Sequence, residues 1–277
     1  MSASTSVKGS PGAVPGALAA LYERRWLAWY FAQRQISRSY RNSFLGLFWM
    51  FLGPLLMIVL YTLVFSEIIG LRFQKDQSVT NFGLFLYCGL LPFLAFSDAL
   101  NKGVISIRTN STLVQKVVFP LEILPLTTAS TALVNQIFGF GALLFLVAIL
   151  EGGLRWTLLL LPVVFIPQLL FTLGLSFLAA VLGAYLPDLK ESLQSLVRAL
   201  FFVTPILWPA SRVPEHLSWL VDFNPLAFLV DAYRDLILRG QIPDTGPLLW
   251  FSAFATGLCV VGFVLFVRVK GRFADLV

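Results

Sequence analysis

The sequence predicts an all-helical membrane protein with six transmembrane helices. Hydrophobic residues make up 58% of the 277 residues and charged residues only 12%, and the mean hydropathy is +0.83. About 20 apolar helical residues cross the roughly 30 Å hydrocarbon core of a bilayer. Five stretches reach that length without a charged residue, and a sixth, Ser192–Ser211, is interrupted by Arg198 alone. The five are Asn42–Ser66, Gln77–Ser97, Ile123–Leu150, Trp156–Pro187 and Thr245–Val267.

The region before the first span divides into a tail and an amphipathic helix. Residues 1–20 begin with a Ser-, Gly-, Ala- and Pro-rich stretch, which predicts a disordered cytoplasmic tail. Residues 21–41 place Trp26 and Trp29 on one helical face beside a basic stripe, as expected for a helix at the membrane interface. It is either a simple anchor or an anchor that also contacts a cytoplasmic partner. The stripe consists of Arg34, Arg38 and Arg41.

Residues 42–277 form the six-span domain, and the segment between its second and third spans is amphipathic. Pro92 is predicted to break the second span near its end. Asn101–Pro125 alternates polar and apolar residues and is too polar to cross. We therefore expect a short cytoplasmic helix, about Thr112–Val118, lying across the membrane face.

The segment before the last span contains another helix that is too short to cross. Leu226–Leu238 is amphipathic and lies between Asn224-Pro225 and Arg239-Gly240. It predicts a re-entrant or interfacial half-helix. Where such a helix ends within the membrane, its backbone requires a cavity that is lined by protein or filled with water. Its charged residues are expected to face that cavity or each other. They are Asp231, Arg234 and Asp235.

Charge distribution predicts the orientation. Six crossings place both termini on one side, and most of the 20 Lys and Arg residues fall on that side. The positive-inside rule then puts both termini in the cytoplasm. Attraction to anionic lipid headgroups accounts for the excess of positive charge, so no nucleic-acid partner is implied.

The chain lacks the groups that most membrane enzymes and pumps require. It has no G-x-x-x-x-G-K-[ST] phosphate loop, and its single histidine, His216, excludes a two-histidine metal motif. The five charge-free spans contain no group for ion coupling or hydrolysis, so we predict no catalytic residue, metal or cofactor in this chain. The energy for any transport must then come from another chain. Arg198 either snorkels to the inner headgroups or attracts an anionic headgroup or pyrophosphate.

An ordered set of motifs runs from about Leu21 to the end of the sequence. The motifs are Arg38-x-Tyr40-Arg41-x-Ser43-x-Leu45-Gly46-x-x-Trp49, Pro54-Leu55-Leu56-Met57, Tyr61-Thr62-x-Val64-Phe65, Asn110-Ser111-x-Leu113-Val114-x-Lys116, Phe119-Pro120, Leu124-Pro125, Phe201-Phe202-x-Thr204-Pro205-Ile206, Asn224-Pro225-Leu226, Tyr233-Arg234 and Arg272-Phe273-Ala274-Asp275. Together they resemble the polysaccharide/polyol-phosphate exporter permeases of the ATP-binding-cassette class. The turn Leu186-Pro187-Asp188 departs from the Arg-Asp pair that this family would have there.

The resemblance implies a homodimer with two copies of a separate ATPase, which binds ATP and Mg. The short cytoplasmic helix becomes the coupling helix, and the N-terminal helix contacts the same ATPase. The outer half-helices shape the exit of a channel at the dimer interface, which makes Asp231, Arg234 and Asp235 candidate gate residues. The candidate coupling residues are Asn110, Ser111, Leu113, Gln115 and Lys116; those of the substrate path are Arg198, Tyr61, Trp208 and Tyr233.

We therefore expect the permease of an exporter that moves lipid-linked polysaccharide, similar to O-antigen, across a bacterial inner membrane. Alternatives are export of a teichoic acid, a capsular polymer or a small lipophilic molecule. A more distant alternative is an integral-membrane enzyme acting on lipid-linked sugars, which would need acidic or histidine groups gathered at one membrane face.

Overall fold

A computed structural model of the chain describes residues 13–40, 46–68, 79–116, 119–210 and 213–276. These residues form helices and connecting turns without a strand, which confirms the all-helical class. Four helices among them are long and apolar enough to cross a membrane. They match the second, third, fourth and last predicted spans. Their bounds are Phe82–Thr109, Ile123–Leu150, Trp156–Tyr185 and Thr245–Asp275.

Two helices precede the first predicted span. Helix α1 covers Ala13–Glu23 and helix α2 covers Arg25–Tyr40. The expectation of disorder over residues 1–20 is therefore wrong from residue 13 onward, because alanine and leucine give this stretch a high helix propensity. Residues 1–12 lie outside the described residues. The predicted interface helix of residues 21–41 corresponds to the end of α1 and all of α2.

Two of the predicted spans are short helices in the structure. Helix α3, Trp49–Tyr61, has 13 residues and lies between a 3₁₀ turn, Gly46–Phe48, and a π-helical segment, Thr62–Ile68. Helix α8, Leu189–Val203, has 15 residues, about 22 Å of helix. It ends before the predicted Ser211 because Thr204 precedes a proline and is extended, as steric crowding by Pro205 favours.

Helix α4 is longer than predicted and continuous. It runs from Val79 to Thr109 and contains Pro92, so the predicted break at this proline is wrong. Inside a helix bundle, neighbouring helices accommodate the backbone groups that a proline leaves unpaired. The polar residues after Ser97 therefore continue the second span instead of forming a separate segment. Helix α5, Ser111–Lys116, follows after Asn110.

The long helices pack closely around α4. Helices α6, Ile123–Leu150, and α7, Leu161–Tyr185, both contact it, and a 3₁₀ turn, Trp156–Leu160, begins the α7 span. At Gly183 of α7 a β-carbon would lie 1.8 Å from the Val104 carbonyl oxygen of α4. Small residues of this kind allow membrane helices to approach closely. Arg108 reinforces the contact by donating to the Gly183 and Ala184 carbonyls at 2.9 and 3.0 Å.

Short elements connect α8 to the last helix. A 3₁₀ turn, Glu215–Leu217, leads into α9, Trp219–Asp222, and then α10, Pro225–Arg234. The Asn224 side chain accepts a hydrogen bond from the Leu226 amide and caps α10. A π-helical turn, Asp235–Arg239, ends at Gly240 with a φ of 70°.

The last helix, α11, closes the bundle. It covers Thr245–Val269 and continues as a 3₁₀ turn, Lys270–Asp275. Gly262 of α11 faces Gly174 of α7, where a β-carbon on Gly262 would lie 2.6 Å from the Gly174 carbonyl oxygen. The two helices therefore meet with backbone nearly against backbone.

Candidate functional site

Arg234 occupies the centre of the bundle at the end where α4 begins. Its side chain is fully buried, and its guanidinium donates to the carbonyls of Phe85, Pro205 and Ile206 at 3.2, 2.7 and 2.8 Å. The guanidinium carbon also lies 3.5 Å from the centre of the Phe85 ring, a cation–π contact. One side chain thus joins α10 to α4 and to the turn that follows α8.

Asp231 lies beside this arginine on α10, and a second carboxylate, Asp235, begins the π-helical turn that follows. Asp231 lies 3.6 Å from Arg234 and 3.7 Å from Arg239, which also pairs with Asp235 at 2.6 Å. Burial raises the pKa of Asp231, and the two arginines lower it in part. Of the three predicted gate residues, Asp231 and Asp235 are partly exposed, whereas Arg234 faces the protein interior.

Tyr233 belongs to a buried polar network. The amides of Gln136 on α6 and Gln168 on α7 exchange two hydrogen bonds of 3.1 and 2.8 Å. The Tyr233 hydroxyl donates to the Gln168 side-chain oxygen. Tyr233 is completely buried, so the structure places it in the core of the bundle. Its bonds fix α10 against α6 and α7.

Tyr61 lines a cleft of about 670 Å³ between α3, α4 and α6, which we call the α3 cleft. Its lining combines polar side chains with apolar ones, and several of the apolar ones are exposed. The cleft also contains an ion pair that sequence reasoning missed, Lys102 with Asp98, at 2.7 Å. The i, i+4 spacing of these two residues was the available signal, but it is informative only if α4 continues past Ser97. Its other lining residues include Trp49, Met57, Tyr87, Leu94, Asn101, Asn135 and Gln136.

Arg34 lines a second cavity, of about 600 Å³, between α2, α4 and α6, which we call the α2 cavity. Helix α2 contacts α6, and Phe31 packs against Phe119 with ring centres 5.2 Å apart. The Trp26 and Trp29 side chains are 65% and 69% exposed, as an interfacial anchor requires. Arg41 lies outside the described residues, as do the side chains of Arg38 and Lys116.

Helix α5 packs against the end of the bundle at which α4 ends. Asn110, one of the predicted coupling residues, donates its side-chain amide to the Ser106 carbonyl at 2.8 Å. Leu113 packs against a buried cluster that includes Phe266 and Phe273. Ser111 is partly exposed and Gln115 is exposed. The predicted end of this helix, residues 117 and 118, lies outside the described residues.

A charge pair fastens the C-terminal turn beside α5. Lys270 donates to the carboxylate of Glu122, which is 2% exposed. Because α5 packs against this same turn, the Lys270–Glu122 pair helps to hold α5 in place.

The two remaining candidates for the substrate path lie on α8 and after it. Arg198 is exposed and donates to the Gln194 carbonyl of its own helix at 3.3 Å. Trp208 donates to the Phe202 carbonyl at 3.2 Å and lines an apolar pocket of about 370 Å³. Tyr61 and Trp208 thus line different cavities, Arg198 lines neither, and the structure does not bring the three together in one site.

The polar groups of the α3 cleft are suited to binding a ligand. In the described part of the chain, no three His, Cys, Asp or Glu residues are grouped so as to hold a metal ion. The polar groups at the α3 cleft are an ion pair, amides and phenols. These groups recognise anions and hydroxyls through charge and hydrogen bonds.

Comparisons with known proteins agree with this interpretation. The ABC-2 type transporter family matches residues 27–238. The O-antigen export system permease protein RfbA of Myxococcus xanthus is 31% identical over 257 residues, covering 92% of this chain and 96% of the relative. RfbA of Klebsiella pneumoniae is 27% identical over 246 residues, covering 88% and 92%. The polysialic acid transport protein KpsM of Escherichia coli is 25% identical over 247 residues, covering 84% and 89%.

Proposed function

Because the chain belongs to the ABC-2 type transporter family, we propose that it is the membrane permease of an ATP-driven exporter of lipid-linked, O-antigen-like polysaccharide. The observation that carries the proposal is the similarity to O-antigen export permeases over nearly the full length of both chains. The expected resemblance to polysaccharide exporter permeases is confirmed at the level of the family. The substrate, the energy source and the assembly are the proposed parts.

The proposed assembly is a homodimer in the bacterial inner membrane, with both termini in the cytoplasm and one ATPase subunit on each protomer. Six crossings require α3 and α8 to cross together with the four long helices. At 13 and 15 residues, each is shorter than the hydrocarbon core is thick. The segments that continue them and local thinning of the bilayer would complete these two crossings.

Helix α10 supports the proposed exit of the channel. It begins at a proline, is too short to span, and packs against α4 and α7. A helix that ends within the membrane must have its terminal backbone groups buried in protein or facing a water-filled cavity. The packing of α10 against α4 and α7 meets this requirement. In this proposal Arg234 holds the half-helix in place, and Asp231 and Asp235 form its charged outer surface.

A capsular polymer is the second candidate substrate. The similarity to the polysialic acid transport protein of Escherichia coli favours it, at lower identity than the similarity to the O-antigen export permeases. Both candidates are hydrated sugar chains, so the same channel chemistry serves either one.

Deletion of the gene for this chain in its native host is expected to remove a long surface polysaccharide. The polymer should accumulate on its lipid inside the cell, because synthesis continues after export stops. Immunoblotting of surface polysaccharide, together with extraction of lipid-linked saccharide from the inner membrane, measures both effects. Restoring the gene should reverse them. Unchanged surface polysaccharide in the deletion strain would refute the proposal.

Simultaneous replacement of Gln115 and Lys116 by alanine is expected to weaken association with the partner ATPase. The two residues end helix α5, and the Gln115 side chain is exposed on it, where a coupling helix would meet its partner. Co-purification of tagged permease with the ATPase measures the effect, and membrane insertion should be unchanged. A matched control is Thr256→Ala, an exposed position on α11. Equal recovery of ATPase with the double variant would contradict the assignment of α5 as the coupling helix.

A further inference from the structure

Lys102 lines both the α3 cleft and the α2 cavity. The cleft extends from Lys102 along α4 to Tyr87 and faces α3, whereas the cavity extends from Lys102 towards Asn110 and faces α2. Roughly 10 Å of helix rise separates Lys102 from Thr109 at the end of α4. The cleft and the cavity, which meet at Lys102, together give a route from the α5 end of the bundle into the region between the membrane helices.

The described charges along this route are predominantly positive. Arg34 and Lys102 contribute two cations, and Asp98 contributes the one acid among the lining residues. The side chains of Lys102 and Asp98 remain 40% and 33% exposed, so the lysine can still reach a ligand. Such a site is complementary to an anion at the level of the lipid headgroups.

Hydrogen-bonding groups at the same place are incompletely satisfied. The amide nitrogen of Asn101 donates to the carbonyl and the hydroxyl of Ser97 at 2.8 and 3.3 Å. Its side-chain oxygen is buried and accepts no hydrogen bond from the described residues. A buried acceptor without a donor costs about 1–3 kcal/mol. A ligand hydroxyl next to Lys102 would remove that cost.

Part of the lining of the α3 cleft is apolar and exposed. Trp49, Met57 and Leu94 belong to it, and their side chains are 38%, 49% and 46% exposed. These side chains offer a hydrocarbon chain a surface continuous with the membrane. The site thus presents an apolar wall, two cations and an unpaired acceptor, which together match a lipid, a phosphate and a sugar hydroxyl.

We propose that the cations Arg34 and Lys102 bind the phosphate or pyrophosphate that joins a saccharide to its lipid, before the saccharide enters the channel. The lipid chain lies against Trp49, Met57 and Leu94, and a hydroxyl of the first sugar donates to Asn101. When no ligand is bound, Asp98 pairs with Lys102 and keeps the lysine from carrying an unpaired charge. This inference rests on the proposed function and locates its substrate on one face of the protomer.

The test uses the full-length chain in nanodiscs and farnesyl pyrophosphate as the probe, with native mass spectrometry as the readout. Lys102→Gln and Arg34→Gln are each expected to weaken binding about tenfold, since each removes a charge-assisted hydrogen bond. Asp98→Asn is expected to strengthen binding several-fold, because Lys102 is then no longer neutralised. A misfolded variant would not bind more tightly, so this opposite sign separates binding from stability.

Arg268→Gln is the matched control, because Arg268 is an exposed cation in the last turn of α11 that lines neither cavity. Its affinity should equal that of the unmodified chain. Phosphatidylglycerol should compete weakly with the probe.

Three results would overturn the inference. The first is equal affinity in Lys102→Gln and the unmodified chain. The second is no gain of affinity in Asp98→Asn. The third is full competition by phosphatidylglycerol, which would identify the site as one for bulk anionic lipid. In each case the gene-deletion result still decides the proposed function separately.

Discussion

Replacing Arg234 with methionine is expected to destabilise the protein more than any other change considered. The substitution leaves the carbonyls of Phe85, Pro205 and Ile206 without their donor and leaves Asp231 next to one arginine instead of two. Removing one partner from a buried charged network costs about 3–5 kcal/mol. Thermal unfolding in detergent, followed by fluorescence-detected size-exclusion chromatography, measures the loss. Little folded protein is expected at room temperature.

Two further variants separate charge from geometry at this position. Arg234→Lys keeps the charge, but a compact ammonium lacks the wide planar fork that reaches three separate carbonyls and stacks on the Phe85 ring, so it should recover only part of the stability. Arg239→Met removes the neighbouring cation, whose side chain is 42% exposed. An exposed pair contributes about 0–1 kcal/mol. Wild-type stability of Arg234→Met would show that the arginine does not support the half-helix.

Gly183→Ala is expected to loosen the contact between α4 and α7. The added methyl group would lie 1.8 Å from the Val104 carbonyl oxygen, and backbone atoms cannot move aside as a flexible side chain can. Overpacking of this kind costs about 1–3 kcal/mol and occasionally more. Separation of α7 from α4 would also move the Gly183 and Ala184 carbonyls away from Arg108. The same thermal-unfolding assay measures the effect.

Gly257→Ala on α11 is the matched control, because nothing lies within 4 Å of the position that a β-carbon would take there. At this position the change should be neutral or stabilising by up to about 1 kcal/mol, since alanine favours a helix more than glycine does. The two glycine variants should therefore shift the unfolding temperature in opposite directions. Equal shifts would contradict the close approach of α4 and α7.

Hydrophobic length predicts the four long helices well because lipid contact imposes a simple requirement on sequence. The helix ends are less predictable. Pro92 does not stop α4, whereas Pro205 coincides with the end of α8. Both prolines are buried, but the chain before Pro92 stays helical, whereas Thr204 before Pro205 is extended. The sequence around a single proline does not contain that information.

The candidate site is less predictable, because it depends on contacts between residues far apart in the chain. Arg234 and Tyr233 are charged or aromatic residues on a short amphipathic helix, which indicates exposure to a channel. Their partners, Phe85 and Gln168, lie on other helices, so their burial emerges only from the packing. Lys102 falls outside the predicted span for a related reason, because hydrophobic length alone ends that span at Ser97.

The continuity of α4 has a mechanical consequence. Its 31 residues form a rod about 46 Å long, and Asn110 alone separates it from α5. Because the Asn110 side chain is bonded to Ser106, no slack loop lies between the two helices. A force on α5 would therefore tilt the whole of α4. The opposite end of α4 carries the Phe85 carbonyl, so this tilt would displace Arg234 and the half-helix. A lever of this kind would let events on one surface of the membrane open a passage on the other.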